Sequence, residues 1–193
     1  GENGAGKSTL MKILAGVYTL DEGQILLNGE PVNISSPRDG LANGISMIHQ
    51  ELMFIPELTA AENIYLGREL RTKSGIVSKK MMIQAAQEVF DRWQISIDPA
   101  AQMKTLSVAQ AQMVEIAKAI AFDSKIIIMD EPTSAITERE VERLHNIIRQ
   151  LRAAGTAVIY ITHKMDEVFA ISDEITVFRD GTWVATDKAS NMD

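Results

Sequence analysis

The apolar positions keep one rhythm at the two ends of the chain and another between them. After the opening loop, KSTLMKILAG has no early proline and reads as a helix stopping near Gly16. DEGQILLNGEPV reads as two short strands about an Asn28-Gly29 turn. SPRDGLANG is short and polar with a helix inside it, and ISMIHQ is a buried strand ending at Gln50. From about residue 53 to 121 the signals turn helical. Thr59 and Glu62 have capping-box spacing at the start of TAAENIYLG, VSKKMMIQAAQEVFDRWQI is amphipathic, and LSVAQAQMVEIAKAIAF carries a further helix. Strands and helices then alternate again. KIIIMD is a nearly continuous apolar run, as expected of a parallel strand covered on both faces. TEREVERLHNIIRQLRAAG puts Val141, Leu144, Ile147, Ile148 and Leu151 on one side and stops at Gly155. TAVIYIT is a strand, KMDEVFAIS a short helix, and EITVFRDGTWVAT two strands about Asp180-Gly181. The pattern predicts an α/β sheet core, residues 1–52 and 122–193, interrupted by a helical subdomain at 53–121.

Composition narrows this reading. The chain has 193 residues, 46% of them hydrophobic, enough for a substantial core. Its apolar runs fall well short of the roughly 18 residues that span a bilayer. With no cysteine, disulfide and thiolate chemistry are excluded, and the three histidines show no metal-ligand spacing. A net charge of −7 argues against a nucleic-acid-binding surface. It does not oppose a bound nucleotide, which brings its own cation.

The densest chemistry is at the start. GENGAGKS spaces a glycine four residues ahead of Gly-Lys-Ser, the pattern in which backbone N–H groups wrap a phosphate chain. A glycine-rich turn alone would explain the glycines but not the Gly6-Lys7-Ser8 ending. The expected nucleotide-binding residues are Gly1, Glu2, Asn3, Gly4, Ala5, Gly6, Lys7, Ser8 and Thr9. Gly1, Gly4 and Gly6 can aim amides inward, Lys7 reaches the terminal phosphates, and Ser8 offers Mg²⁺ a hydroxyl. Such a loop normally follows a hydrophobic strand, and none precedes Gly1. The expectation is therefore a fragment with its N-terminal strands missing and a gap in the sheet beside the loop.

Other candidates fall at strand ends. Asp130 closes IIIMD, where a carboxylate can hold Mg²⁺, and Glu131 is placed to polarise an attacking water. His163 follows TAVIYIT, where an imidazole can contact a γ-phosphate. Gln50 can join the Mg²⁺ shell and report its occupancy to the helical insert. In LSVAQ, Ser107 and Gln110 open a helix whose N-terminus makes a second anion site, suited to a phosphate bound by another domain. An ordinary N-cap role for Ser107 is compatible with that.

Taken in order, the P-loop, Gln50, LSVAQ, MDEP and His163 resemble the nucleotide-binding domain of an ABC transporter ATPase. More narrowly, GENGAGKSTLMKIL, ISMIHQEL, LSVAQAQMVEIAKA, DEPTSAITEREVERL and ITHKMDEVF are similar to the N-terminal half of monosaccharide importers, which carry two fused ATPase domains. The resemblance implies a P-loop NTPase (RecA-like) core with a helical, signature-bearing insert, and ATP and Mg²⁺ as cofactors. It also implies hydrolysis that powers import of ribose or galactose/methyl-galactoside through membrane permease subunits. The implied partners are that permease, a periplasmic or extracellular sugar-binding protein acting through it, the fused second ATPase domain and a second copy. None is a nucleic acid, and the implied location is the cytoplasmic face of the cell membrane. Two departures stand out: Val108 and Ala109 replace the two glycines of the family signature, and Ser134-Ala135-Ile136-Thr137 replaces the usual Ser-Ala-Leu-Asp. Two rival readings are a non-transport ABC ATPase acting on nucleic acid or ribosomes, and a regulatory domain that binds ATP without turnover. Ser8 and Ser107 lie too close in sequence for the long coiled coils of the DNA-repair members. The presence of both Glu131 and His163 counts against loss of turnover.

Overall fold

A computed structural model describes residues 4–134 and 136–192. Gly1, Glu2 and Asn3 of the candidate loop lie outside the described residues, as does Ala135. In chain order the elements are α1 (Lys7–Leu14), β1 (Ile25–Leu27), β2 (Glu30–Val32), α2 (Pro37–Ala42), β3 (Ile45–Ile48), α3 (Ala60–Ile64), α4 (Lys79–Arg92) and α5 (Val108–Ile120). Then come β4 (Ile126–Asp130), α6 (Glu138–Ala153), β5 (Ala157–Ile161), α7 (Met165–Ile171), β6 (Glu174–Arg179) and β7 (Thr182–Lys188). Two compact units result. The first holds the residues up to Met47, then Ser124–Pro132, then those from Ile148 onward; the second holds Ile48–Asp123 and Thr133–Ile147.

In the first unit, β3, β4 and β5 form a sheet in that order, and β4 and β5 run parallel from Ile126↔Ala157 to Asp130↔Ile161. Apolar runs drive this pairing, since Ile127, Ile128 and Met129 are fully buried. Met11 of α1 packs with Ile34, Ile45, Ile128 and Ile161, so the helix that begins at Lys7 is seated on the sheet. Its far end is closed by a Schellman arrangement: the Gly16 N–H donates to the Ile13 carbonyl and the Val17 N–H to that of Lys12. Gly16 has φ +74, and a Cβ there would meet the Ser36 carbonyl oxygen at 2.1 Å, so only glycine fits. The β1–β2 and β6–β7 hairpins turn at Asn28-Gly29 and Asp180-Gly181, as the dipeptides predict.

The second unit is less helical than the sequence suggests. Between α3 and α4 the chain loops back, with Arg71 bridged to Val77, because Gly67 (φ +76) and Gly75 (φ +82) take backbone angles no helix contains. The Thr59–Glu62 capping box is present at α3, each partner accepting the other's backbone N–H. On α5, Glu115 is largely buried, and burial raises its carboxyl above the ordinary value of 4.5; Lys118, 3.9 Å away, opposes that shift. A carboxyl whose folded pKa is raised favours the fold fully only below the unfolded value, and that advantage is lost as pH rises through the folded one. Glu115→Gln is therefore expected to raise the melting temperature of the whole protein above neutral pH. The gain should shrink on acidification and vanish below about pH 4. A thermal melt series across pH checks this; a gain independent of pH would place its origin elsewhere.

Candidate nucleotide site

The loop ahead of α1 is built on left-handed glycines, Gly4 at φ +87 and Gly6 at φ +86. Gly6 is the N-cap of α1 and caps it with no side chain; a helix start of this kind, with its dipole, favours an anion. The loop is braced from a distant part of the chain. The Gly181 N–H, at the β6–β7 turn, donates to the Ala5 carbonyl at 3.2 Å, and a Cβ on Gly6 would approach the Gly181 Cα to 3.3 Å. Lys7 and Ser8 open the helix half-buried, and Thr9 is exposed. Lys7 also borders a cavity of about 830 Å³. Every residue from Thr156 to Thr162 lines one wall of it and every residue from Ile171 to Phe178 the other. Consecutive rather than alternate residues mark backbone edges, so β5 and β6 face one another across it.

The other strand-end candidates of this unit meet at the carboxyl edge of the sheet. The Glu131 N–H donates to the Ile161 carbonyl at 2.9 Å, extending the β4–β5 ladder by one bond before the chain turns away at φ +48. That left-handed angle costs a non-glycine residue about 1 kcal/mol or more. It aims the carboxylate so that Glu131 Oε1 lies 3.2 Å from His163 Nδ1. An ionised carboxylate only accepts, so Nδ1 carries the proton in this contact, and Nε2 donates to a further acceptor only when the ring is protonated. Asp130 is 4% exposed, and its Oδ1 is buried without a hydrogen-bond partner among the described residues. Such an oxygen is costly to leave unmet and fits a cation directly or through water.

The remaining candidates belong to the second unit. The strand expected to end at Gln50 stops at Ile48, leaving Gln50 exposed in the following loop. Ser107 caps α5 in a full capping box: its hydroxyl accepts the Gln110 N–H at 3.2 Å, and Gln110 Oε1 accepts the Ser107 N–H at 2.9 Å. Of the two residues standing in for signature glycines, Val108 is 52% exposed but Ala109 only 8%. Ala109 thus packs inward, whereas Val108 projects. The sequence reading missed the Gly181 brace, since Asp180-Gly181 signals a hairpin turn and nothing about what the turn touches.

A family model described as "ABC transporter" matches residues 1–134. The chain belongs to the ABC transporter family. Across its whole length it is 55% identical to a putative ribose/galactose/methyl galactoside import ATP-binding protein 2 of Burkholderia lata, and 56% identical to a similarly named protein of Hahella chejuensis. It spans 36% and 37% of those two curated relatives. Among solved structures it resembles the ADP conformation of an ATP-binding cassette of an ABC transporter, with 26% identity and a TM-score of 0.79, covering 96% of this chain and 77% of that one. The fold is thus that of an ABC cassette, a P-loop NTPase. No helix among the described residues is long and apolar enough to cross a membrane. In this ABC cassette, Gly6→Ala would strain the loop and press on Gly181, a cost of about 1–3 kcal/mol. Weakening of ATP binding by roughly 10-fold or more is expected in the whole protein, read by nucleotide titration. Unchanged affinity would show that the left-handed angle is not needed to hold phosphate.

Proposed function

We propose that this chain is the first ATPase domain of a monosaccharide importer, binding and hydrolysing ATP to power sugar uptake through a membrane permease. The observation that carries the hydrolytic part is the 3.2 Å contact between Glu131 and His163; Lys7 lines a cavity that reaches Thr162, the residue before His163. A domain that only bound ATP would need the loop and Lys7, not a carboxylate and an imidazole turned toward each other beyond the strand ends. In this reading the loop amides and Lys7 hold the phosphates. Glu131 takes the proton of the attacking water, and His163 orients Glu131 and contacts the γ-phosphate. Ser8 and Asp130, both of the first unit, are the residues that would hold Mg²⁺, which when bound neutralises charge on the terminal phosphates. Gln50 belongs to the second unit, and its place in the Mg²⁺ shell rests on the sequence resemblance alone.

The sugar class comes from the relatives, whose names give ribose/galactose/methyl galactoside import and ATP binding. The permease and the cytoplasmic face of the membrane come from the sequence resemblance. A sugar-binding protein would deliver the substrate, and a second ATPase domain would belong to the same polypeptide. Segment 53–121 is read as the signature-bearing subdomain. In the whole protein, Lys7→Ala should weaken ATP binding, while Glu131→Gln should leave binding and lower hydrolysis roughly 10²- to 10⁴-fold. Near-normal turnover in Glu131→Gln, measured by phosphate release, would remove Glu131 as the base.

Val108 adds an expectation about the pair of sites. In a head-to-tail sandwich each signature closes on the partner domain's nucleotide, so Val108 burdens the site built on the second domain's P-loop. Disabling each P-loop lysine in turn should cost more activity at Lys7 than at its counterpart. The reverse order in a hydrolysis assay would overturn this arrangement.

A further inference from the structure

We infer that Glu167 is a positioning residue for the Glu131–His163 pair, an assignment that rests on the hydrolytic reading above. Glu167 lies in the first turn of α7 and is only 7% exposed, an uncommon place for a carboxylate without partners. Its Oε2 accepts a hydrogen bond from the Tyr160 hydroxyl at 2.7 Å, and its Oε1 lies 3.1 Å from the Lys164 ammonium. These partners stand on either side of His163. Tyr160 is the penultimate residue of β5, and Lys164, the next residue after His163, is the N-cap of α7. The carboxylate therefore ties the strand entering the His163 turn to the helix leaving it. Within that turn the Lys164 N–H also donates to Thr162 Oγ1 at 3.1 Å. Tyr160 sits opposite Met129 in the ladder, one step before the Asp130–Ile161 pair, so the tie is anchored at the height where Glu131 begins.

A buried carboxylate is a costly way merely to hold a short helix, since an apolar side chain of similar size would serve as well. What the carboxylate adds is direction: two oxygens fixed by two donors set how far the His163 backbone stands from Glu131. With His163 itself 58% exposed, little else packs around the ring to hold it at 3.2 Å. Displacements near 1 Å at a reacting group can cost about 100-fold in rate.

The test uses the whole protein in its transport assembly, with ATP hydrolysis followed by single turnover so that slow variants still yield a rate. Glu167→Ala is expected to lower the chemical rate about 10- to 100-fold with KM for ATP little changed. Glu167→Gln, whose amide oxygen still accepts from Tyr160, should recover most of that loss, and Tyr160→Phe should fall between. Placed on His163→Ala, Glu167→Ala should cost less than about threefold, because the residue it positions is gone. A full additive loss in that background, or a wild-type rate in Glu167→Ala, would overturn the assignment. A fall in rate matched by the same fall in melting temperature in both Glu167→Gln and Tyr160→Phe would overturn it too, showing a scaffold role alone. A wild-type protein that binds ATP but does not turn it over would instead sink the hydrolytic reading.

Discussion

One backbone hydrogen bond, from the Glu131 N–H to the Ile161 carbonyl, sets the geometry on which the site depends. It is the last rung of the parallel β4–β5 ladder, and it forms because Asp130 and Ile161 stand level at the carboxyl edge. Sliding the register by one residue would turn Asp130 toward the other face and carry Glu131 away from His163. The register is held by burial: Ile128 and Ile161 pack against Met11 of α1, so the same apolar contacts that fix the strands also seat the helix behind Lys7. Core packing and phosphate chemistry are therefore not separate layers here.

Much of this was legible in the sequence where the signal is local. The parallel strand in KIIIMD, the two dipeptide hairpins, the capping spacing at Thr59–Glu62 and the N-cap at Ser107 each follow from a few adjacent residues, and each is found. Segment 53–121 was read as more helical than it is, since charged and apolar residues around Gly67 and Gly75 mimic helical periodicity while their backbone angles break it. Strand ends were also misjudged. His49 and Gln50 continue the composition of ISMI, but the ladder stops at Ile48. Contacts between residues far apart in sequence left no local mark at all. Nothing in Asp180-Gly181 announces that its amide supports Ala5, and Glu167 in MDEVF reads as a solvent-facing acid of a first helical turn.

The loop shows why glycine is needed in two senses. Gly4 and Gly6 supply left-handed angles, which in the proposed reading would turn amides toward phosphate, while Gly6 also lies against Gly181, where a side chain would press. An anion held by backbone amides depends on that backbone staying in place, and the Gly181 bond to Ala5 supplies a fixed point outside the loop. The chain's acidity is no obstacle to the proposed nucleotide, because the groups that would meet phosphate are amides, a helix N-terminus and one lysine, all acting at short range where bulk charge is screened.

The α5 terminus is the converse case, a helix start whose amides are partly spoken for. Ser107 and Gln110 satisfy one another's backbone N–H groups, which stabilises α5 with no ligand present. A hydroxyl that accepts one bond still has a proton to donate, so the capping box and an anion contact do not compete for the same atom of Ser107. What limits approach is shape. Ala109 packs inward, so its methyl costs nothing on the outer face, whereas Val108 carries a branched side chain into solvent at the first helical position. A phosphate approaching this helix start meets that branch before it meets the backbone. The difference from a glycine signature is therefore steric and lies at a single residue, with the helix dipole and the serine hydroxyl unchanged.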